Sequence, residues 1–157
     1  MCSQEEAGMV STLKAGGSTY INRPLNETFE FLCNPAVEPT DLSPFEEKMV
    51  EREALWGVGA TCRSIIELAA RELSCTTRCV EYEPPRRLAT RLEGDLEGHQ
   101  NWILSAENGG TRAELSLEFT APKWLPGYLH DEVNAARWSQ TLVEQTLTRV
   151  KTALEKS

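Results

Sequence analysis

The chain has 157 residues, 40% of them hydrophobic and 25% charged, enough for one domain with its own core and too few for two. Sixteen Lys and Arg against 24 Asp and Glu leave a net charge of −8 and a pI of ≈ 4.9, and a surface this acidic argues against nucleic acid as a partner. No run reaches the roughly 18 consecutive apolar residues of a membrane-spanning helix, so no integral membrane segment is expected.

Residues 1–15 read as a disordered or poorly ordered lead-in, and residues 16–155 as a single domain. "MCSQEEAGMV" lacks the basic and apolar regions of a secretory signal. Five cysteines, an odd number, fit free thiols in a reducing compartment, so a cytoplasmic location is expected. Cys75 and Cys79 lie four apart without a second pair or a nearby histidine. No metal set and no cofactor motif is recognised.

In chain order, "GSTYINRP" is a short alternating run. Pro24 then suits the first turn of a helix, where its missing N–H costs nothing. Leu25, Phe29 and Leu32 recur at helical spacing, and the helix ends before Pro35. "AVEPTDLSP" reads as a second short helix or an irregular turn. From Phe45 the period changes to that of strands. Phe45–Glu53 comes first, then "GVGATCRSIIELAA" with a bend at Gly57 and Gly59. "LSCTTRCVEYE" and "RRLATRLEG" follow on either side of Pro84-Pro85. "HQNWILSA" and "TRAELSLEF" are joined by "ENGG", and an Asn-Gly pair between alternating runs signals a hairpin with positive φ at both central residues. After "APKWLPG" the stripe Leu129, Val133, Ala136, Gln140, Val143, Leu147, Val150, Leu154 marks a long amphipathic helix. An antiparallel sheet has one apolar face to cover, and this helix alone is long enough to cover it.

The order of these motifs, from "RPLNETFEFLCNP" through "GVGA", "VEYEPPRRLATRLEG" and "GGTRAELSLEF" to the long helix, resembles the START/Bet v 1-like (SRPBCC) superfamily. Within it the chain is most similar to the polyketide cyclase/dehydrase group. The resemblance implies an α+β helix-grip fold. That fold is a curved antiparallel sheet of about six to seven strands wrapped round a long C-terminal helix, with two short helices after the first strand. It also implies a cavity for a hydrophobic ligand such as a lipid, quinone or polyketide. Counting back from the proline corner, the cavity arginine of the aromatase/cyclases aligns with Val80, which is apolar.

Strand alternation then nominates a ligand-binding face. It comprises Cys62 and Ser64, Val80 and Tyr82, Thr90, Gln100 and Trp102, and Leu115, Leu117 and Phe119. The helix adds Leu129, Val133, Ala136 and Gln140. Arg78 shares the inner face if no bulge intervenes, and faces water on a wet strand if one does. Arg78, Tyr82 and His99 are the candidates for proton transfer or ligand polarisation. The two amides, Gln100 and Gln140, need partners where buried: each other, a water or a ligand. Three functions follow: a carrier or binder of an apolar small molecule, a cyclase/dehydrase-type enzyme on such a molecule, and a protein-interaction module. A monomer or homodimer fits each of them.

Overall fold

The computed structural model describes residues 11–33, 46–52, 57–68, 70–121 and 131–156. Strand β1 (Ser11–Ile21) leads into helix α1 (Leu25–Cys33). Then come β2 (Glu46–Arg52), β3 (Thr61–Leu68), β4 (Arg71–Glu83), β5 (Arg87–Gly94), β6 (Glu97–Glu107) and β7 (Gly110–Ala121). Helix α2 (Glu132–Lys156) closes the domain. The seven strands form one antiparallel sheet in the order β1-β7-β6-β5-β4-β3-β2. This is the helix-grip architecture: a curved antiparallel sheet with a long C-terminal helix on its concave side.

The first strand starts earlier than the sequence suggests. Ser11 already pairs with Ala121, so residues 11–15 belong to the sheet rather than to a lead-in. The expected second short helix, "AVEPTDLSP", lies outside the described residues.

The turns follow from their residues. Asn108 and Gly109 take φ of 49° and 81° and close the β6–β7 hairpin, where Glu107 faces Gly110. Asn and Gly tolerate this left-handed geometry and most residues do not. At the proline corner the Arg86 N–H donates to Glu83 O at 2.8 Å, and Tyr82 comes opposite Leu88. Both prolines thereby stay out of the ladder, where they have no N–H to give.

The core lies between the concave face and α2. Leu13, Trp102, Leu104, Ala113, Leu115, Leu117 and Phe119 are buried from the sheet, and Leu142, Val143, Leu147, Val150 and Leu154 from the helix. Helix α2 packs mainly on β1, then on β7. A methyl group on Gly17 would stand 3.2 Å from Val143 Cγ1 and 3.4 Å from Leu147 Cδ1, so the missing side chain sets how closely the helix seats. The C-terminal turn is also tied down by polar contacts. Glu155 accepts from the Asn22 N–H and from Lys151 Nζ, each at 2.8 Å, and Lys151 also donates to Tyr20 O. Helix α1 lies against β6 and β7, where Thr28 Oγ1 meets Thr111 Oγ1 at 3.3 Å.

Candidate functional site: the concave face of β3 to β6

Cross-strand register assembles the concave face in rows. Ser64 stands opposite Cys75, and Cys75 opposite Gly94. The next row runs Cys62, Thr77, Leu92, Gly98, Phe119 and Leu13. A third runs Cys79, Thr90, Gln100, Leu117 and Ala15, and a fourth Tyr82, Leu88, Trp102, Leu115 and Gly17. In the second row the Phe119 ring fills the space over Gly98, where a Cβ would stand 2.5 Å from Phe119 Cδ1.

At β7 these rows carry Phe119, Leu117 and Leu115, and at β1, where α2 packs most, they end in Leu13, Ala15 and Gly17. Toward β3, β4 and β5 they carry small, weakly polar side chains, Cys62, Ser64, Cys75, Thr77, Cys79 and Thr90, together with the larger Leu92, Tyr82 and Leu88. Cys62, Thr77, Tyr82, Thr90, Leu92 and Gln100 face inward yet are only half-buried, whereas Leu115, Leu117 and Trp102 are at most 3% exposed.

Two groups here have shifted acidities. Burial pushes the Cys79 thiol up, against a weaker opposing pull from its contact with Glu81 O at 3.6 Å. Burial, then the neighbouring Cys33 and Cys79, pushes the Tyr82 hydroxyl up as well. Tyr82 is therefore a neutral phenol at physiological pH, able to donate one hydrogen bond. Its ring tilts against Phe29 of α1, with centroids 5.6 Å apart at 55°.

Several nominated residues stand elsewhere. A bulge between Cys79 and Glu81 leaves Val80 as the extra residue of β4. Pairing resumes with the faces exchanged, so Cys79 and Tyr82 both point inward, while Val80 is 45% exposed and does not line the concave side. Arg78 faces out and meets Glu93 at 3.5 Å with nearly half of its side chain exposed. His99 also faces out and borders an open hollow of ≈ 590 Å³ on the convex face, with Lys14, Asn101, Ser116 and Glu118. On α2, Val133 is 63% exposed and Ala136 is exposed. The buried stripe instead runs Ala135, Ser139, Leu142, Val143, Thr146, Leu147, Val150, Leu154. It passes through serine and threonine, and so reads upstream as if it began one residue later. Gln140 is taken by the scaffold: Nε2 donates to Gly16 O at 3.2 Å and to Glu144 Oε2 at 3.4 Å. Leu129 and His130 lie outside the described residues.

Sequence reasoning missed Thr77, Cys79 and Ser139 as members of this face. The signal for the first two was Arg78 itself. Alternation carried back from Tyr82 places a cation in an apolar interior, and one slipped residue removes the conflict.

No family model matches the chain, and no curated protein matches it. Solved structures do. A protein from Thermus thermophilus is similar with a TM-score of 0.70 and 20% identity, over 91% of this chain and 97% of that one. The Zhui aromatase/cyclase from a Streptomyces species gives 0.65 and 17%, over 93% and 95%. Ara h 8.0201, of the Bet v 1 family, gives 0.59 and 13%, over 94% and 100%. The chain thus has the Bet v 1-like fold that these structures share. Among the described residues no helix is long and apolar enough to cross a membrane.

Proposed function

We propose that the protein binds a hydrophobic small molecule between the concave face of β3 to β6 and helix α2. The observation that supports this most is the pattern of partial exposure. Cys62, Thr77, Tyr82, Thr90, Leu92 and Gln100 all point toward the interior and remain accessible, while the same face under α2 is closed. A domain that only needed a core would place large aliphatic groups at Cys62, Thr77 and Thr90, because burying a leucine side chain stabilises by about 1.5–3 kcal/mol. Small, weakly polar lining with one phenol is what an apolar ligand site uses to fix orientation. Likeness to an aromatase/cyclase and to a Bet v 1 relative agrees with this use of the fold. The acidic balance and the unbridged cysteines fit a protein of the cytoplasm that does not bind nucleic acid.

A cyclase- or dehydrase-type reaction is the second reading. Tyr82 is the one sequence candidate that stays on the concave face, since Arg78 and His99 stand on the outer one.

The test is uptake of N-phenyl-1-naphthylamine, a neutral fluorophore that brightens in apolar surroundings, with native mass spectrometry of the full chain. The expected result is saturable binding at one molecule per chain. A flat titration together with a spectrum of bare protein alone overturns the proposal.

A further inference from the structure

The convex face of the sheet carries rows of outward side chains that cross β1, β7, β6 and β5. Register places Lys14, Glu118, His99 and Arg91 in one row, which continues to Arg78 of β4. The next row holds Gly16, Ser116, Asn101 and Ala89, all small, and the one after it Ser18, Glu114, Ile103 and Arg87. The small row is a trough, and open hollows of ≈ 590 and ≈ 320 Å³ meet over Gly16, Ser116 and Asn101. The other two rows stand as ridges beside it, so their charged tips are the first groups that an approaching body meets.

These charges are sorted by strand. β7 carries Glu114 and Glu118, β5 carries Arg87 and Arg91, and β6 lies between them with His99, Asn101 and Ile103. All seven residues are exposed, and Ile103 leaves an apolar side chain 40% in water. Arg87 and Arg91 lean on Glu81 and Glu93 at 3.6 and 3.5 Å, with 47% and 50% of their side chains exposed. Each guanidinium therefore keeps donors for a second acceptor. Neither Glu114 nor Glu118 joins an ion pair among the described residues.

This pattern is complementary to itself. Across a two-fold axis running along β6, β7 of one copy lies over β5 of the other while the rows stay aligned. Glu118 of each copy then comes over Arg91 of the other, Glu114 over Arg87, and Ile103 over Ile103 at the axis. Face-to-face sheets keep their strand directions within about 30°, which such an axis satisfies. Their spacing of about 10 Å is one that glutamate and arginine side chains span together. Lys14 and Arg78 face each other only at the margin, where curvature draws the sheets apart and Glu93 stands 3.5 Å from Arg78.

We propose that the protein self-associates as a two-fold dimer through the convex face of β5, β6 and β7, held by Glu114 and Glu118 of each copy against Arg87 and Arg91 of the other. Three strands of this length cover on the order of 400 Å² per copy. That is about half of a standard interface, so the dimer is weak and reversible, with a dissociation constant of about 10 µM to 1 mM. Both concave faces point away from the contact, so this inference stands apart from the binding reading above.

The experiment is sedimentation equilibrium of the full chain across about 10 µM to 1 mM, the range of that constant. The wild type is expected to rise from monomer mass toward dimer mass. Glu114→Lys/Glu118→Lys and Arg87→Glu/Arg91→Glu should each associate at least about tenfold more weakly, because like charges then face across the axis. Mixed in equal amounts, the two variants should form a heterodimer at least as tight as the wild-type dimer, since each supplies the charge that the other lacks. A misfolded variant cannot give that rescue, and thermal midpoints near that of the wild type show that both fold. A wild type that stays monomeric to the top of the range overturns the proposal. So do variants that dimerise as the wild type does, which places the contact elsewhere, and folded variants that fail to pair when mixed.

Discussion

The concave face has two ends that differ in what occupies it. Under α2, the rows that reach β7 and β1 finish in Leu115 against Gly17 and Phe119 against Leu13, closed by Val143, Leu147 and Val150. At β3, β4 and β5 the Phe119 row finishes in Cys62, Thr77 and Leu92 and the Leu115 row in Tyr82 and Leu88, and of these all but Leu88 are half-open. Both ends are built from alternating strands with one face turned inward, so secondary structure does not separate them. Exposure does. Leu115, Leu117 and Phe119 are closed off at one end, while Cys62, Thr77 and Thr90 stay half-exposed at the other.

The greatest expected effect is at the closed end. Leu115→Ala should lower stability by about 2–5 kcal/mol in urea or thermal unfolding, because the cavity it leaves cannot collapse against the helix. Gly17→Val should cost about 1–3 kcal/mol by pushing Val143 and Leu147 away from β1. Thr90→Ala at the open end should change stability by less than about 1 kcal/mol. Thr90→Phe should weaken fluorophore uptake by about tenfold or more, with a melting curve close to that of the wild type. Equal stability losses at Leu115 and Thr90 would mean that the two ends are packed alike, and the contrast would be gone.

The smallest effect is electrostatic and belongs to the closed end, where α2 is pinned to the β1–α1 junction. The hydrogen bond from Lys151, then that from the Asn22 N–H, holds the Glu155 carboxyl below its usual range. A depressed carboxyl stabilises the fold above its unfolded pKa, and that contribution is lost as pH falls through the folded value. Glu155→Gln should therefore flatten the acid limb of thermal midpoint against pH, without altering probe uptake near neutrality. An acid limb identical to the wild type would show that the pin contributes nothing.

Much of this was legible in local pattern. Ala113, Leu115, Leu117 and Phe119 alternate cleanly with charged and polar neighbours, and all four are buried. Asn108-Gly109 specified its hairpin through the φ values it tolerates. The α2 stripe was right at Val143, Leu147, Val150 and Leu154, which are apolar and buried. Upstream, Ser139 broke the apolar pattern, and the reading moved to Val133 and Ala136, which face water.

The sequence by itself determined the elements, their order and the fold, because hydrophobic period and turn chemistry act over a few residues and are written along the chain. Only the tertiary structure decided which polar residues look inward. One bulge at Val80 turned Arg78 to Glu93, and the seating of α2 buried Ser139 while committing Gln140 to Gly16 O. The reason is physical: side chains on a strand alternate with a period of two, so a single extra residue exchanges the faces beyond it, and which residue bulges depends on partners far away in sequence.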